Sequence, residues 1–147
     1  MQIRKAFEKD LESITNLFLQ EYSKPPYNET WDLKQAQKRI KGHHASGAQI
    51  YVSEHNQKII GFLIFNRGVF WGGERRYVEE VVVDAEYQRQ GVGKELMKTV
   101  ENDCDHQKET QIYLLSKRGT NAFLFYDGLN FKENGWVLLE KRIDNKP

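Results

Sequence analysis

Residues 81 to 97 constrain the fold more than any other stretch of this chain: Val81-Val82-Val83-Asp84-Ala85-Glu86-Tyr87-Gln88-Arg89-Gln90-Gly91-Val92-Gly93-Lys94-Glu95-Leu96-Met97. Three consecutive valines leave no polar alternation, as expected of a strand covered on both faces. A helix is expected to begin near Gly91, where Val92, Leu96, Val100 and Cys104 repeat every four residues and lay one apolar stripe, with Met97 beside it. Between strand and helix lies a loop containing glycine. The first turn of a helix has backbone N–H groups without intrahelical partners and carries the positive end of the macrodipole, so phosphate oxygens can dock there. Gly91 and Gly93 would let the anion approach the backbone, Arg89 and Lys94 add charge, and Gln88 adds a side-chain donor. The plainer reading is a strand-to-helix turn whose glycines serve chain geometry alone; strand, helix and flanking cations together favour the phosphate site. A dinucleotide fingerprint needs a small residue where Leu96 stands. A Walker loop needs Ser or Thr where Glu95 stands and Gly where Gln88 stands, so NAD and ATP are disfavoured.

Composition limits the remaining choices. A length of 147 residues suits one domain spanning residues 1–147, with enough surface to bury that no disulfide or structural metal is required. The single Cys104 cannot close an intramolecular disulfide, which favours a reducing compartment. With 22 Lys plus Arg against 21 Asp plus Glu, no bulk field draws the chain to nucleic acid or anionic lipid. The longest apolar run, Ile59 to Phe65, is far shorter than the ~20 residues of a membrane helix, and the first residues lack the apolar stretch of a signal peptide. A cytoplasmic protein without nucleic-acid or membrane partners is expected.

Along the chain, Gln2 to Phe7 reads as a first strand, and Leu11, Ile14, Leu17, Phe18 and Tyr22 recur at helical spacing. Pro25-Pro26 stops that helix, so Ser23 to Thr30 is a loop. Leu33, Ala36, Gln37 and Ile40 then trace a second helix ending near Gly42. Ile50 to Val52 and Ile59 to Phe65 flank the polar turn Glu54 to Lys58 as a hairpin, with a bulge expected at Gly61. Beyond the Gly72-Gly73 turn come a strand from Tyr77 to Asp84, the helix just described, a strand from Gln111 to Leu115 and a short aromatic helix from Thr120 to Asp127. Phe131 and Trp136 to Ile143 form an expected closing hairpin around Asn134-Gly135. The sum is a mixed α/β (α+β) sheet with helices on both faces.

Gln88-Arg89-Gln90-Gly91-Val92-Gly93 resembles the pyrophosphate-binding motif of the GCN5-related N-acetyltransferases: Gln or Arg, two variable residues, Gly, any residue, then Gly or Ala. The likeness extends over nearly the whole chain, through Ile60-Gly61-Phe62 to Phe125-Tyr126-Asp127-Gly128-Leu129-Asn130-Phe131, which is similar to the family's Tyr-x-x-Leu-Gly-Phe segment. Ala85 stands where the family has Pro. Asn130 stands where it has Gly, and Asn is the residue that best keeps a left-handed turn. The resemblance implies a mostly antiparallel sheet in which one parallel strand pair, Tyr77 to Asp84 and Gln111 to Leu115, splays apart to admit acetyl-CoA. It also implies direct acetyl transfer to an amine without a covalent acetyl-enzyme.

Within that resemblance, Gln88, Arg89, Gln90, Gly91, Val92, Gly93 and Lys94 hold the cofactor, with Asn121 at the start of the aromatic helix. A backbone N–H near Val81 or Val83 would serve the thioester oxygen as charge develops on it. A primary alkylamine is mostly protonated at neutral pH, so a base is useful. Glu79 and Glu80 are the candidates, and strand alternation suggests that only one reaches the acceptor. A salt bridge with Arg75 or Arg76 is their structural alternative. Tyr126 matches the family's general-acid tyrosine, where the alternative is aromatic packing with Phe123 and Phe125. The stretch Tyr22 to Trp31, with Tyr27, Glu29 and Trp31, occupies the place where family members build the acceptor pocket, the alternative being a packed surface loop.

Cys104 with His106 reads as core packing rather than a thiol nucleophile, and His43-His44 as a solvated helix end rather than a metal site; no metal is expected. The acceptor expected is a small, cationic primary amine such as a polyamine, an amino sugar or an amino acid. A protein N-terminal or lysine acetyltransferase and a non-catalytic acyl-CoA-binding module are the alternatives. An open sheet edge could also pair in a homodimer.

Overall fold

The computed structural model describes residues 1–144. Its residues group into two compact units, the first Met1–Ser116 and the second from Lys117 onward. In the first unit, β1 (Gln2–Lys5), β2 (Gln49–His55), β3 (Lys58–Phe70), β4 (Gly73–Val83) and β5 (Thr110–Leu114) form one sheet in sequence order. All neighbours are antiparallel except β4 and β5, which are parallel and joined through α3 (Val92–Asp103).

The amphipathic stripes explain the layers. Helix α1 (Leu11–Tyr22) buries Leu11, Ile14, Leu17 and Phe18, and α2 (Leu33–Ala45) buries Ala36 and Ile40; both cluster with Phe62, Ile64, Val52 and Val82 on one face of the sheet. Asp32 starts α2 by accepting the Gln35 N–H at 2.7 Å, while the Gln35 side chain reaches back to the Asp32 N–H. Helix α3 covers the opposite face. A Cβ on Gly61 would stand 3.1 Å from Val92 Cγ1 and 3.2 Å from Leu96 Cδ1, so this glycine lets α3 approach the sheet. The expected bulge lies beside it, between Ser53 and Glu54 of the β2–β3 ladder.

The β3–β4 hairpin is longer at both arms than its apolar runs suggest. Asn66 to Phe70 pairs with Gly73 to Tyr77, including Arg67 opposite Arg76. Two like charges directly opposite destabilise a ladder. Asp103, at the end of α3, resolves the conflict by accepting from both guanidinium groups, with Arg76 Nε at 2.6 Å. Cys104 therefore falls just beyond α3, not on it.

Arg67 beside Asp103 holds the Asp103 carboxyl below its ordinary range; burial works against this and Arg76 adds to it. The stabilisation is expected in full above about pH 4, where the unfolded carboxyl is ionised, and to be lost as pH falls through the lower folded value. Acid melts should show Asp103→Asn less stable than the parent at neutral pH yet losing less on acidification.

The second unit holds α4 (Asn121–Gly128), started by Thr120, whose hydroxyl accepts the Phe123 N–H at 3.2 Å. Asn130 takes the left-handed backbone expected of it, with φ 67°. The closing hairpin does not form among the described residues. The Asn134-Gly135 turn is present, with Gly135 at φ 84° and Trp136 N–H donating to Asn134 Oδ1 at 3.1 Å, yet neither arm is a strand. Trp136, Val137, Leu138 and Leu139 are exposed, and an isolated two-stranded ribbon is marginal in water without an apolar face to cover it.

Candidate active site

The parallel ladder fixes where a ligand can enter. Pairing between β4 and β5 runs from Glu74 opposite Thr110 to Val78 opposite Leu114 and stops, while β4 continues to Val83. Glu79 to Val83 therefore face the β5 side without a ladder partner, and Val81 and Val83 are half-buried there. Past Val83 the chain turns through Asp84, whose carboxylate accepts the Glu86 N–H at 3.0 Å and the Lys58 ammonium at 3.0 Å.

The loop then enters α3 with Arg89 at φ 61° and Gly91 at φ 85°. No side chain caps α3, so the donors of its first turn are open to a ligand. A Cβ on Gly91 would meet nothing within 4 Å, which leaves free space over the loop. Arg89 and Lys94 are exposed, without an ion pair among the described residues. The amides of Gln88 and Gln90 are used within the loop, Gln88 Nε2 donating to Val83 O at 2.9 Å and Gln90 Nε2 to Glu86 O at 3.1 Å. Gln88 thus shapes the turn, a different task from the free donor expected.

Where the ladder ends, a cavity of about 310 Å³ opens between α1, α2 and β4, lined by aromatic Phe18, Tyr22, Trp31 and Tyr77, by Glu29, Glu79, Glu80 and Arg39, and by Val78 and Leu115. Both glutamates reach it. The β3–β4 register passes from Ile64 opposite Glu80 to Phe65 opposite Val78, leaving Glu79 as the extra residue of a bulge, and a bulge breaks strict alternation of faces.

Their surroundings differ. Glu80 is 4 % exposed and fully engaged: Tyr22 donates its hydroxyl at 2.5 Å, and Arg39 approaches the other oxygen with Nε at 2.7 Å and Nη2 at 2.5 Å. Glu79 is half-buried and accepts one longer bond, from Asn66 Nδ2 at 3.2 Å. Neither pairs with Arg75 or Arg76, which turn to Tyr113 and Asp103. Burial pushes the Tyr77 phenol up, with Glu79 and Glu80 adding to it; burial and then Glu29 and Glu80 do the same for Tyr27.

Glu29 and Trp31 line the cavity, with Trp31 Nε1 donating to Glu29 at 2.5 Å. Tyr27 is not among the lining residues; its ring sits 5.0 Å from that of Tyr22. In the second unit, Asn121 opens α4, and the Tyr126 ring packs 5.1 Å from Phe125 and 5.8 Å from Phe131.

Arg39 and Tyr77, with the apolar Phe18, Val78 and Leu115, line the cavity without having been expected there, whereas Tyr22 opens the stretch expected to build the acceptor pocket. Tyr22 sits at the end of the α1 stripe and Arg39 beside Ile40 of α2. For Arg39 the available signal was a cation bordering the buried face of α2.

Comparison with known proteins places the geometry in context. The family model described as "Acetyltransferase (GNAT) family" matches residues 11–131. No curated protein sequence matches the chain. A possible acetyltransferase from Clostridium difficile 630 is similar in structure at TM-score 0.80 and 21% identity, covering 98% of each chain. A ribosomal-protein-alanine N-acetyltransferase from Brucella melitensis biovar Abortus 2308 matches at 0.76 and 14% identity, over 97% of this chain and 99% of that one. A glucosamine-6-phosphate N-acetyltransferase from Arabidopsis thaliana matches at 0.71 and 18% identity, over 97% and 98%. At such identities the likeness carries the fold.

Proposed function

Because this chain belongs to the acetyltransferase (GNAT) family, we propose that it transfers the acetyl group of acetyl-CoA directly to a primary amine bound in the acidic, aromatic cavity at the end of the β4–β5 ladder. The family match runs across both units, which supports reading residues 1–147 as one N-acetyltransferase domain. The observation that carries the proposal is the juxtaposition of unpaired β4 backbone with that cavity.

The residues present suit the cofactor. The open first turn of α3, the space over Gly91 and the cations Arg89 and Lys94, which have no ion pair among the described residues, fit a diphosphate, with Gln88, Gln90, Val92 and Gly93 completing the loop. When bound, acetyl-CoA supplies an activated thioester. The free β4 N–H groups at Val81 or Val83 are suited to donate to the thioester oxygen as it gains charge.

Glu79 is the base in this reading, since Glu80 is matched by Arg39 and Tyr22. The amine nitrogen attacks the carbonyl carbon, a C–N bond forms and the C–S bond breaks. Glu79 takes the nitrogen's proton, and Tyr126 gives one to the departing thiolate. The product is an amide. Tyr126→Phe should lower kcat about a hundredfold, within the usual range for acid–base groups, while acetyl-CoA affinity stays within about twofold of the parent. Unchanged turnover would assign Tyr126 to packing alone.

A thiol-release assay with acetyl-CoA over an amine panel tests the whole reading. Turnover on small amines is expected. Coenzyme binding with no turnover on any amine would instead favour an acyl-CoA-binding module, and turnover only on peptides would favour a protein acetyltransferase.

A further inference from the structure

The cavity holds more negative charge than one reacting amine uses. Of its three carboxylates and one guanidinium, Glu80 and Arg39 neutralise one another. Glu79 and Glu29 remain without a cationic partner among the described residues: Glu79 accepts only from the Asn66 amide and Glu29 only from the Trp31 indole. An aromatic wall borders them. Phe18 meets Trp31 edge-on at 5.0 Å and Tyr22 at 4.6 Å, with Tyr27 behind Tyr22 at 5.0 Å. Arg39 already covers Trp31 at 5.6 Å, so this ring is in use as a cation platform whose own cation is charge-matched.

Resting on the reading of this cavity as the acceptor site, we infer that the acceptor is a dication, an aliphatic diamine or polyamine. One amine is acetylated at Glu79 while a second ammonium is held by Glu29 beside the aromatic wall. The methylene chain between the two nitrogens lies on Tyr22 and Trp31, which Phe18 backs from the core, and this would give it apolar cover that a sugar ring bearing hydroxyls would not match. Acetylation turns the reacting amine into a neutral amide. The product therefore carries one charge fewer, and its attraction to the site falls just when it must leave.

The test compares putrescine and spermidine with butylamine, which lacks the second cation, in the parent and in Glu29→Gln. The parent should show kcat/KM about tenfold higher for putrescine than for butylamine, chiefly through KM, the sum expected of a partly exposed ion pair and a cation–π contact. Glu29→Gln should lose most of that ratio, with putrescine falling far more than butylamine, and Glu29→Asp should regain part of it. Melting curves confirm that each variant is folded; Glu29 is exposed, so little loss is expected. Parent rates within about twofold for the two amines, or an equal fall for both in Glu29→Gln, would overturn the dication inference while leaving the acetyltransferase standing. Absence of turnover on every amine, with coenzyme bound, would overturn both.

Discussion

Gly91→Glu should fold and yet lose acetyl-CoA affinity by about a hundredfold or more. The backbone at Gly91 is left-handed, φ 85°, so any other residue costs about 1–2 kcal/mol there. Beyond that strain the protein has no reason to object, because a Cβ at this position meets no atom within 4 Å. A carboxylate at the start of α3 even suits the helix dipole. The same carboxylate, however, would occupy the space over the first-turn donors and repel the diphosphate beside Arg89 and Lys94. Removing a set of charge-assisted hydrogen bonds worth about 3 kcal/mol corresponds to roughly a hundredfold in affinity. Calorimetric titration with acetyl-CoA, alongside a melting curve, separates the two effects. Unchanged affinity would mean that this loop does not bind the cofactor.

The second large effect is expected at Glu79. An alkylamine resembles the lysine side chain, so roughly one molecule in a few thousand is neutral at pH 7, and a proton must be removed before the nitrogen can attack. Glu79→Gln keeps the shape and the bond from Asn66 but cannot take a proton, and kcat/KM should fall about a hundredfold or more. Raising the pH should recover part of the loss by supplying neutral amine. Glu80→Gln predicts another pattern. It leaves Arg39 without its anion and disturbs the Tyr22 bond, so stability and KM should suffer while the dependence of kcat on pH keeps the parent's form. A pH–rate series on both variants checks the assignment. Equal behaviour of the two would contradict it.

Much of this architecture is legible in the chain because its signals are local. The valine run, the four-residue stripe of α3 and the Pro25-Pro26 stop depend on neighbours in sequence, and each marks the element it suggests. The polar arms of the β3–β4 hairpin were missed because the charges that seem to forbid a strand, Arg67 and Arg76, are reconciled by Asp103 more than 25 residues away. The sharing of one cavity by Glu79 and Glu80 was missed for a related reason. Alternation is a property of a regular strand, and the bulge at Glu79 exists only through its pairing with β3. The closing hairpin shows the converse: Asn134-Gly135 makes its turn, but local turn chemistry alone does not order the arms.

The most direct measurement is a crystal structure of the protein with coenzyme A and a slow or unreactive diamine bound. The diphosphate should accept from the amides at the start of α3, with the thiol end beside the free β4 segment and an amine nitrogen at Glu79. A nucleotide seated elsewhere, or a diamine outside the cavity of Tyr22, Trp31 and Glu79, would contradict it.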